Sequence, residues 1–310
     1  MKNVLMTCAG GAGSLLLAES LKRTYRVHLA DANDMNPAVS SEFPFRKIPF
    51  GADPVFPDAV RSLIKEWSID VVAPGADEEL APLSRLREEH LVECVMPTGA
   101  FIDLCLDKCA LMQALNSEGI SHLLPFARPD DVRYPAIAKP VRGRGSRQVH
   151  RLENASHLQG YLALYDTDFS RTLVQPAVDG VEYTVSVVVN NHNVLIGVVP
   201  KRILEKRGIT RSAVTEKNDI IAAACQRIVE RLRPCGPFNV QLKLYDGVCS
   251  IFEINPRLST TAVLTEEAFG NEIELYIRYF DASDCPSPPT MEEGVAMYRT
   301  ETHHFVRTGD

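Results

Sequence analysis

Phe252-Glu253-Ile254-Asn255-Pro256-Arg257 closes one of a series of strand-like segments. On an extended strand every second side chain points to the same face. Glu253, Asn255 and Arg257 are therefore expected to converge. Gln241, on the preceding strand, is expected to join them. Hard oxygen donors of this kind suit Mg²⁺ bridging nucleotide phosphates. An arginine beside them suits a phosphoryl group or a developing oxyanion. The plainer alternative is an exposed strand face with a salt bridge, and the order Glu-x-Asn-Pro-Arg argues against it.

Upstream, segments 136–139, 148–151, 173–175, 183–189, 194–200, 239–245 and 250–254 read as strands. Helices are expected over 155–164 and 219–232, and a final strand over 295–299. This is an α+β arrangement with antiparallel hairpins. Lys139 ends the first of these strands, and a glycine loop, Arg142-Gly143-Arg144-Gly145-Ser146, follows it. A lysine beside such a loop grips phosphates through its charge and through backbone N–H groups. A solvated basic loop or a nucleic-acid patch would use the same residues.

The first third reads differently. Strands over 3–8, 27–30 and 69–73 alternate with helices over 14–21, 57–67 and 77–89. That order implies a parallel α/β sheet with right-handed crossovers. After a short bridge, a helix is expected over 107–117, with Leu111, Met112 and Leu115 as its apolar stripe. Gly10-Gly11-Ala12-Gly13 after the opening strand, with Asp31 at the end of the second, is half of a dinucleotide-binding fingerprint. Leu16 stands where the third glycine belongs. A tight strand-to-helix turn explains the same glycines.

Composition narrows the class. Over 310 residues, 45% are hydrophobic and 24% charged, which is globular rather than disordered. The net charge of −7 argues against non-specific binding to nucleic acid or anionic membrane. No apolar run approaches the roughly 20 residues of a membrane span. The N-terminus, broken by Thr7, Cys8 and glycines, does not read as a signal peptide. The eight cysteines include no C-x-x-C pair and are read as reduced, mostly buried thiols. A cytoplasmic protein without membrane or nucleic-acid partners is expected.

With these motifs in order, the chain resembles the ATP-grasp superfamily, and looks most like the carbamoyl phosphate synthetase large subunit and its stand-alone relatives. The resemblance implies a Rossmann-like pre-ATP-grasp domain over 1–97. It implies a linker helix and N-terminal ATP-grasp subdomain over 98–178, and a C-terminal subdomain over 179–310. It implies ATP and Mg²⁺ as cofactors, with Mn²⁺ able to substitute. Lys108 and Lys139 then match the two nucleotide-binding lysines, Lys139 also having a catalytic role. Gly143, Gly145 and Ser146 match the lid over the phosphates. Gln175, Ala177 and Val178 match the adenine hinge, and Glu182 the ribose-binding glutamate. Gly208, Ile209 and Thr210 match a stretch near the nucleotide. Gln241, Glu253 and Asn255 match the metal ligands, and Arg257 the catalytic arginine beside the transferred phosphoryl group. Gln175 stands where such families often carry Glu, and Thr210 where the large subunit carries His.

The implied activity is an ADP-forming carboxylate–amine, or carboxylate–thiol, ligase working through an acyl phosphate. An amino acid or small carboxylate is the expected substrate, and a homodimer is compatible with the family. Arg202, Arg211, Glu78 and Ser259 are the candidate substrate residues. Lys201 and Arg207, with Arg202 and Arg211, flank the 208–210 stretch and could bind a substrate carboxylate or phosphates, or be plain surface charge. Two other classes stay open: a non-catalytic ATP-binding regulator, and a nicotinamide-dependent oxidoreductase using Gly10 to Gly13 and Asp31.

Overall fold

The computed structural model describes residues 1–143, 147–280 and 287–300. The chain begins β1 (Asn3–Met6), α1 (Ser14–Leu21), β2 (Arg26–Asp31), β3 (Phe45–Lys47), α2 (Phe56–Glu66), β4 (Val71–Ala73), α3 (Asp77–Glu88) and β5 (Glu93–Cys94). These five strands form one sheet in the order β3-β2-β1-β4-β5, and every pairing is parallel. The sheet is buried on both faces. Val4, Val27, Leu29 and Val71 face one core, and Leu5, Ala30, Val72 and Cys94 the other. That is why these strands read as apolar runs without alternation. The order reverses direction beside β1, and ligands in such sheets bind outside the carboxyl ends of the strands at that place.

The expected bridge before residue 107 is a helix, α4 (Gly99–Leu106), started by the Thr98 hydroxyl accepting from Phe101 N. Next come α5 (Lys108–Ser117), β6 (Ala136–Pro140), β7 (His150–Leu152), α6 (Ala155–Leu164) and β8 (Thr172–Pro176). The strands form a small antiparallel sheet, β7-β6-β8. Asp107 and Asn154 cap α5 and α6 by accepting from Ala110 N and His157 N, as helix N-caps do.

The rest comprises β9 (Val181–Val189), β10 (Leu195–Arg207), β11 (Ile209–Thr215), α7 (Asp219–Leu232), β12 (Phe238–Tyr245), β13 (Val248–Asn255), α8 (Ala262–Ala268), α9 (Glu272–Arg278) and β14 (Ala296–Tyr298). A six-stranded antiparallel sheet runs β13-β12-β9-β10-β11-β14. One of its faces packs on α4, α5 and α7 through Phe101, Leu111, Cys225 and Ile228. The helices α8 and α9 send Ala262, Ile273, Tyr276 and Ile277 into the core of the parallel sheet. The C-terminal third therefore completes the first core.

Candidate functional site

A cavity of about 220 Å³ opens between the small antiparallel sheet and β9, β10, β12 and β13. Of the residues singled out from the sequence, Lys108, Lys139, Gly143, Gln175, Ala177, Val178, Glu182, Gln241 and Glu253 line it. They come from seven places spread over 146 positions, and the fold brings them to one cleft. Gly145 and Ser146 lie outside the described residues.

Lys139 ends β6 with its side chain buried, and its Nζ donates to Phe252 O at 2.7 Å. Burial lowers its pKa to about 8, against the opposing pull of the Glu253 carboxylate. Lys108, also buried, donates from Nζ to Gly143 O at 2.6 Å. Two ammonium groups thus stand in one cleft, each held by a backbone carbonyl. Gln175 Oε1 is buried on the cleft lining without a hydrogen-bond partner among the described residues. A buried orphan acceptor is costly unless something donates to it, and an exocyclic adenine amino group is a donor. At the hinge, Ala177 N is taken by Pro135 O at 3.0 Å. Lys243 Nζ fastens Val178 O at 2.9 Å. Glu182 is paired with Lys206 at 2.6 Å. These features fit a nucleoside with its phosphates.

Gln241 and Glu253 are cross-strand partners on β12 and β13. Asn255 pairs with Asn239 two positions on, is buried, and does not line the cleft; its Nδ2 donates to Asn239 Oδ1 at 3.4 Å. No cluster of three His, Cys, Asp or Glu side chains able to hold a metal occurs among the described residues. The expected Mg²⁺ donors would be one carboxylate, from Glu253, with amide oxygens from Gln241 and, off the cleft lining, Asn255. All are hard oxygens, the type Mg²⁺ takes when phosphates and water supply the rest of its shell.

Arg257 departs from the expectation that it shares the strand face. β13 ends at Asn255, and after Pro256 the Arg257 N–H donates back to Asn255 O at 2.8 Å. This turn sends the guanidinium to the second cavity, about 80 Å³. There it meets Thr7, Cys8, Gly11, Ser14 and Gly75 from the carboxyl end of the parallel sheet, with Ser259 and Thr260 from its own loop. Its Nε donates to Asp77 Oδ1 at 2.5 Å.

Several expected residues lie elsewhere. Gly208, Ile209 and Thr210 do not line either cavity; Gly208 turns β10 into β11 with a φ of 72°. Neither does Arg202, which pairs with Glu216 at 2.8 Å, nor Arg211. Glu78 is exposed. Lys201 is wholly buried, so it is not a substrate-binding surface charge. Asp31 spends its two oxygens on Gly10 N and Asn33 N, both at 2.8 Å. A Cβ on Gly13 would lie 2.7 Å from Val263 Cγ1. The glycine loop is thus a tight turn packed against α8. Lys206, Lys243 and Phe252 line the cleft and were missed. Lys243 stands two positions after Gln241, so strand periodicity carried that signal.

Comparison with known proteins bears on the fold. A family model described as ATP-grasp in the biosynthetic pathway with Ter operon matches residues 168–303. The chain carries an ATP-grasp domain. The carbamoyl phosphate synthase large chain of Halomonas eurihalina is 26% identical over 181 residues, 54% of this chain and 17% of the relative. That of Neisseria meningitidis serogroup A is 26% identical over 226 residues, 66% of this chain and 21% of the relative. The chain thus spans about a fifth of the length of these relatives. Among solved structures, the N5-carboxyaminoimidazole synthetase of Staphylococcus aureus complexed with ADP is similar with a TM-score of 0.79 and 17% identity. The match covers 96% of this chain and 82% of that one. The L-amino acid ligase of Bacillus licheniformis is similar with a TM-score of 0.67 and 18% identity, covering 90% and 74%. At these identities the likeness concerns the fold. The matched residues take in β8 and the whole six-stranded sheet, which border the larger cleft.

Proposed function

We propose that the protein is an ADP-forming ligase that joins a small carboxylate to an amine, or to a thiol, through an acyl phosphate. The observation that carries this reading is the convergence, in one cleft, of two buried lysines, an unpaired Gln175 acceptor and the Gln241–Glu253 pair. Lys108 and Lys139 would neutralise the phosphates. Gln175 Oε1 and the hinge at Ala177 and Val178 would read the adenine edge, and Glu182 the ribose. Gln241, Glu253 and Asn255 would hold Mg²⁺, with Mn²⁺ able to substitute; the ion supplies charge neutralisation for phosphoryl transfer. The lid role expected of 143–146 is part of the proposal.

The carboxylate sits in the smaller cavity against Arg257, within reach of the Ser259 hydroxyl. Its oxygen attacks the γ-phosphorus as the bond to the β–γ bridging oxygen breaks, and ADP leaves. The amine then attacks the acyl carbon, inorganic phosphate departs, and the amine proton passes to solvent. Arg257 stabilises the oxyanion of the tetrahedral intermediate. A cavity of about 80 Å³ favours an amino acid or similarly small carboxylate over a nucleotide-sized one.

The proposal includes the division into 1–97, 98–178 and 179–310, with the first part Rossmann-like, a cytoplasmic location and a homodimer. No helix among the described residues is long and apolar enough to cross a membrane. The single carboxylate at the metal position favours, as a second reading, an ATP-binding regulator without turnover. ADP release with Mg-ATP across amino acids, small carboxylates and pairs of them separates the two. Substrate-dependent release, lost in Glu253→Ala, is the expected result. Mg-dependent ATP binding with no turnover across the panel would favour the regulator, and absence of ATP binding would defeat both.

A further inference from the structure

Arg257 is aimed by a residue from the other end of the chain. Its backbone is fastened to the ATP-grasp sheet: Asn239 Nδ2 donates to Arg257 O at 2.9 Å. Its side chain is not held from there. Nε goes to Asp77 Oδ1, 180 positions away, and Nη1 to its neighbour Leu258 O at 3.1 Å. Nη2 has no partner among the described residues. The pair is mostly buried, the two side chains being 15% and 13% exposed. Arg257 is also the one charged side chain among the described residues lining the smaller cavity.

Asp77 is the first residue of α3, where an acid ordinarily serves the helix N-terminus. Here another residue performs that service. The Glu79 carboxylate is buried and accepts from Gly75 N, Ala76 N and Thr7 Oγ1 at 3.0, 3.2 and 2.7 Å. It ties the turn after β4 to the end of β1. Among the described residues no side-chain hydrogen bond joins the Asp77 carboxylate to its own helix; it reaches across to the guanidinium.

We propose that Asp77 is the positioning residue for Arg257: it fixes the guanidinium by Nε and leaves Nη2 free to meet the anion that forms at the reacting centre. The proposal rests on the reading of Arg257 as the group beside the transferred phosphoryl. An arginine has several rotatable bonds and loses much freedom when ordered, and its planar fork is directional. One carboxylate holding it in advance removes that cost from the reaction step. The parallel sheet thereby contributes to phosphoryl transfer without touching the nucleotide.

The test uses the full chain and two probes, MgADP and MgADP with aluminium fluoride, the latter mimicking the phosphoryl group in transfer. Calorimetric titration gives each affinity. Wild type should bind the fluoride complex more tightly than MgADP alone, and Arg257→Ala should abolish that gain. If wild type shows no gain, or Arg257→Ala keeps it, the reading of Arg257 fails and the proposal falls with it. If the reading holds, Asp77→Asn should leave MgADP affinity unchanged and cut the gain by about ten- to a hundredfold. Asp77→Glu should recover part of it. An Asp77→Asn variant with the wild-type gain would overturn the positioning role. One that loses MgADP affinity as well would also overturn it, because Asp77 would then act through the fold as a whole.

Discussion

On the proposed function, Lys139 is a side chain prepared for a highly charged ligand. Burial among β6, β13 and the facing Phe252 disfavours its charged form, bringing its pKa to about 8, while Glu253 works in the other direction. Lys108 and Lys206 add like charge that lowers it further. The sign of the consequence follows directly. Below that value the ammonium is present and attracts phosphate; above it the group is neutral and the attraction is lost. Bound phosphates favour the charged form, so the complex takes up protons. We expect the affinity for MgATP to be level below about pH 7.5 and to weaken above pH 8, by about tenfold per pH unit at its steepest. Titration in buffers of different ionisation enthalpy should reveal proton uptake near pH 8. Lys139→Arg, which stays charged, should bind with a flat profile. A wild-type profile that is already flat to pH 9.5 would remove Lys139 from phosphate binding.

At the scale of elements, the contact of β9 and β10 with α8 and α9 is made through a buried polar cluster. Lys201 on β10 is fully buried and donates to Ser186 Oγ and Thr265 Oγ1, both at 2.7 Å, and more weakly to Thr261 O at 3.4 Å. Ser186 donates in turn to Glu272 Oε1 at 2.7 Å. Removing one member of such a cluster strands the others in a dry environment. Lys201→Met is expected to cost about 3 kcal/mol or more, and Lys201→Met with Glu272→Leu to cost less than the sum of the two single changes. Denaturant unfolding of the four proteins measures this. Strict additivity would mean that the cluster is not coupled. These helices also mark where sequence reading stopped. α6 and α7 were legible to the residue because Asn154 and Asn218 start them and apolar residues recur at helical spacing. α8 and α9 are seven residues each and buried on most sides, even at Thr265 and Glu272. They lack the polar face that periodicity needs. β3 is three residues long and owes its state to pairing with β2, a tertiary fact. The place of Gln241 and Glu253 on the larger cleft was legible because strand alternation is local. The direction of Arg257 was not, because it depends on a turn after Pro256 and on Asp77.

Across the whole molecule, the parallel sheet and the ATP-grasp domain share buried structure. Tyr276 of α9 is fully buried in the first core, and its hydroxyl donates to Glu93 Oε1 of β5 at 2.8 Å. Asn271 Nδ2 donates to Leu17 O of α1 at 3.2 Å. Thr98 N donates to Pro234 O at 2.8 Å, and a Cβ on Gly236 would lie 2.3 Å from Met96 O. The first 97 residues thus leave one side of their core open until residues beyond 260 arrive. A core in that state cannot unfold independently of the segment that closes it, so one cooperative transition is expected. Tyr276→Ala removes a large buried ring, at a cost of about 3–5 kcal/mol, which for a chain of this size lowers the midpoint by roughly 10 °C. The shift should appear equally in a probe of the first sheet, the fluorescence of Trp67, and in one of the ATP-grasp domain, the protection by MgADP. Two separate transitions, with Tyr276→Ala moving just one of them, would show that the two regions fold as independent units and that the shared core is only an interface between them.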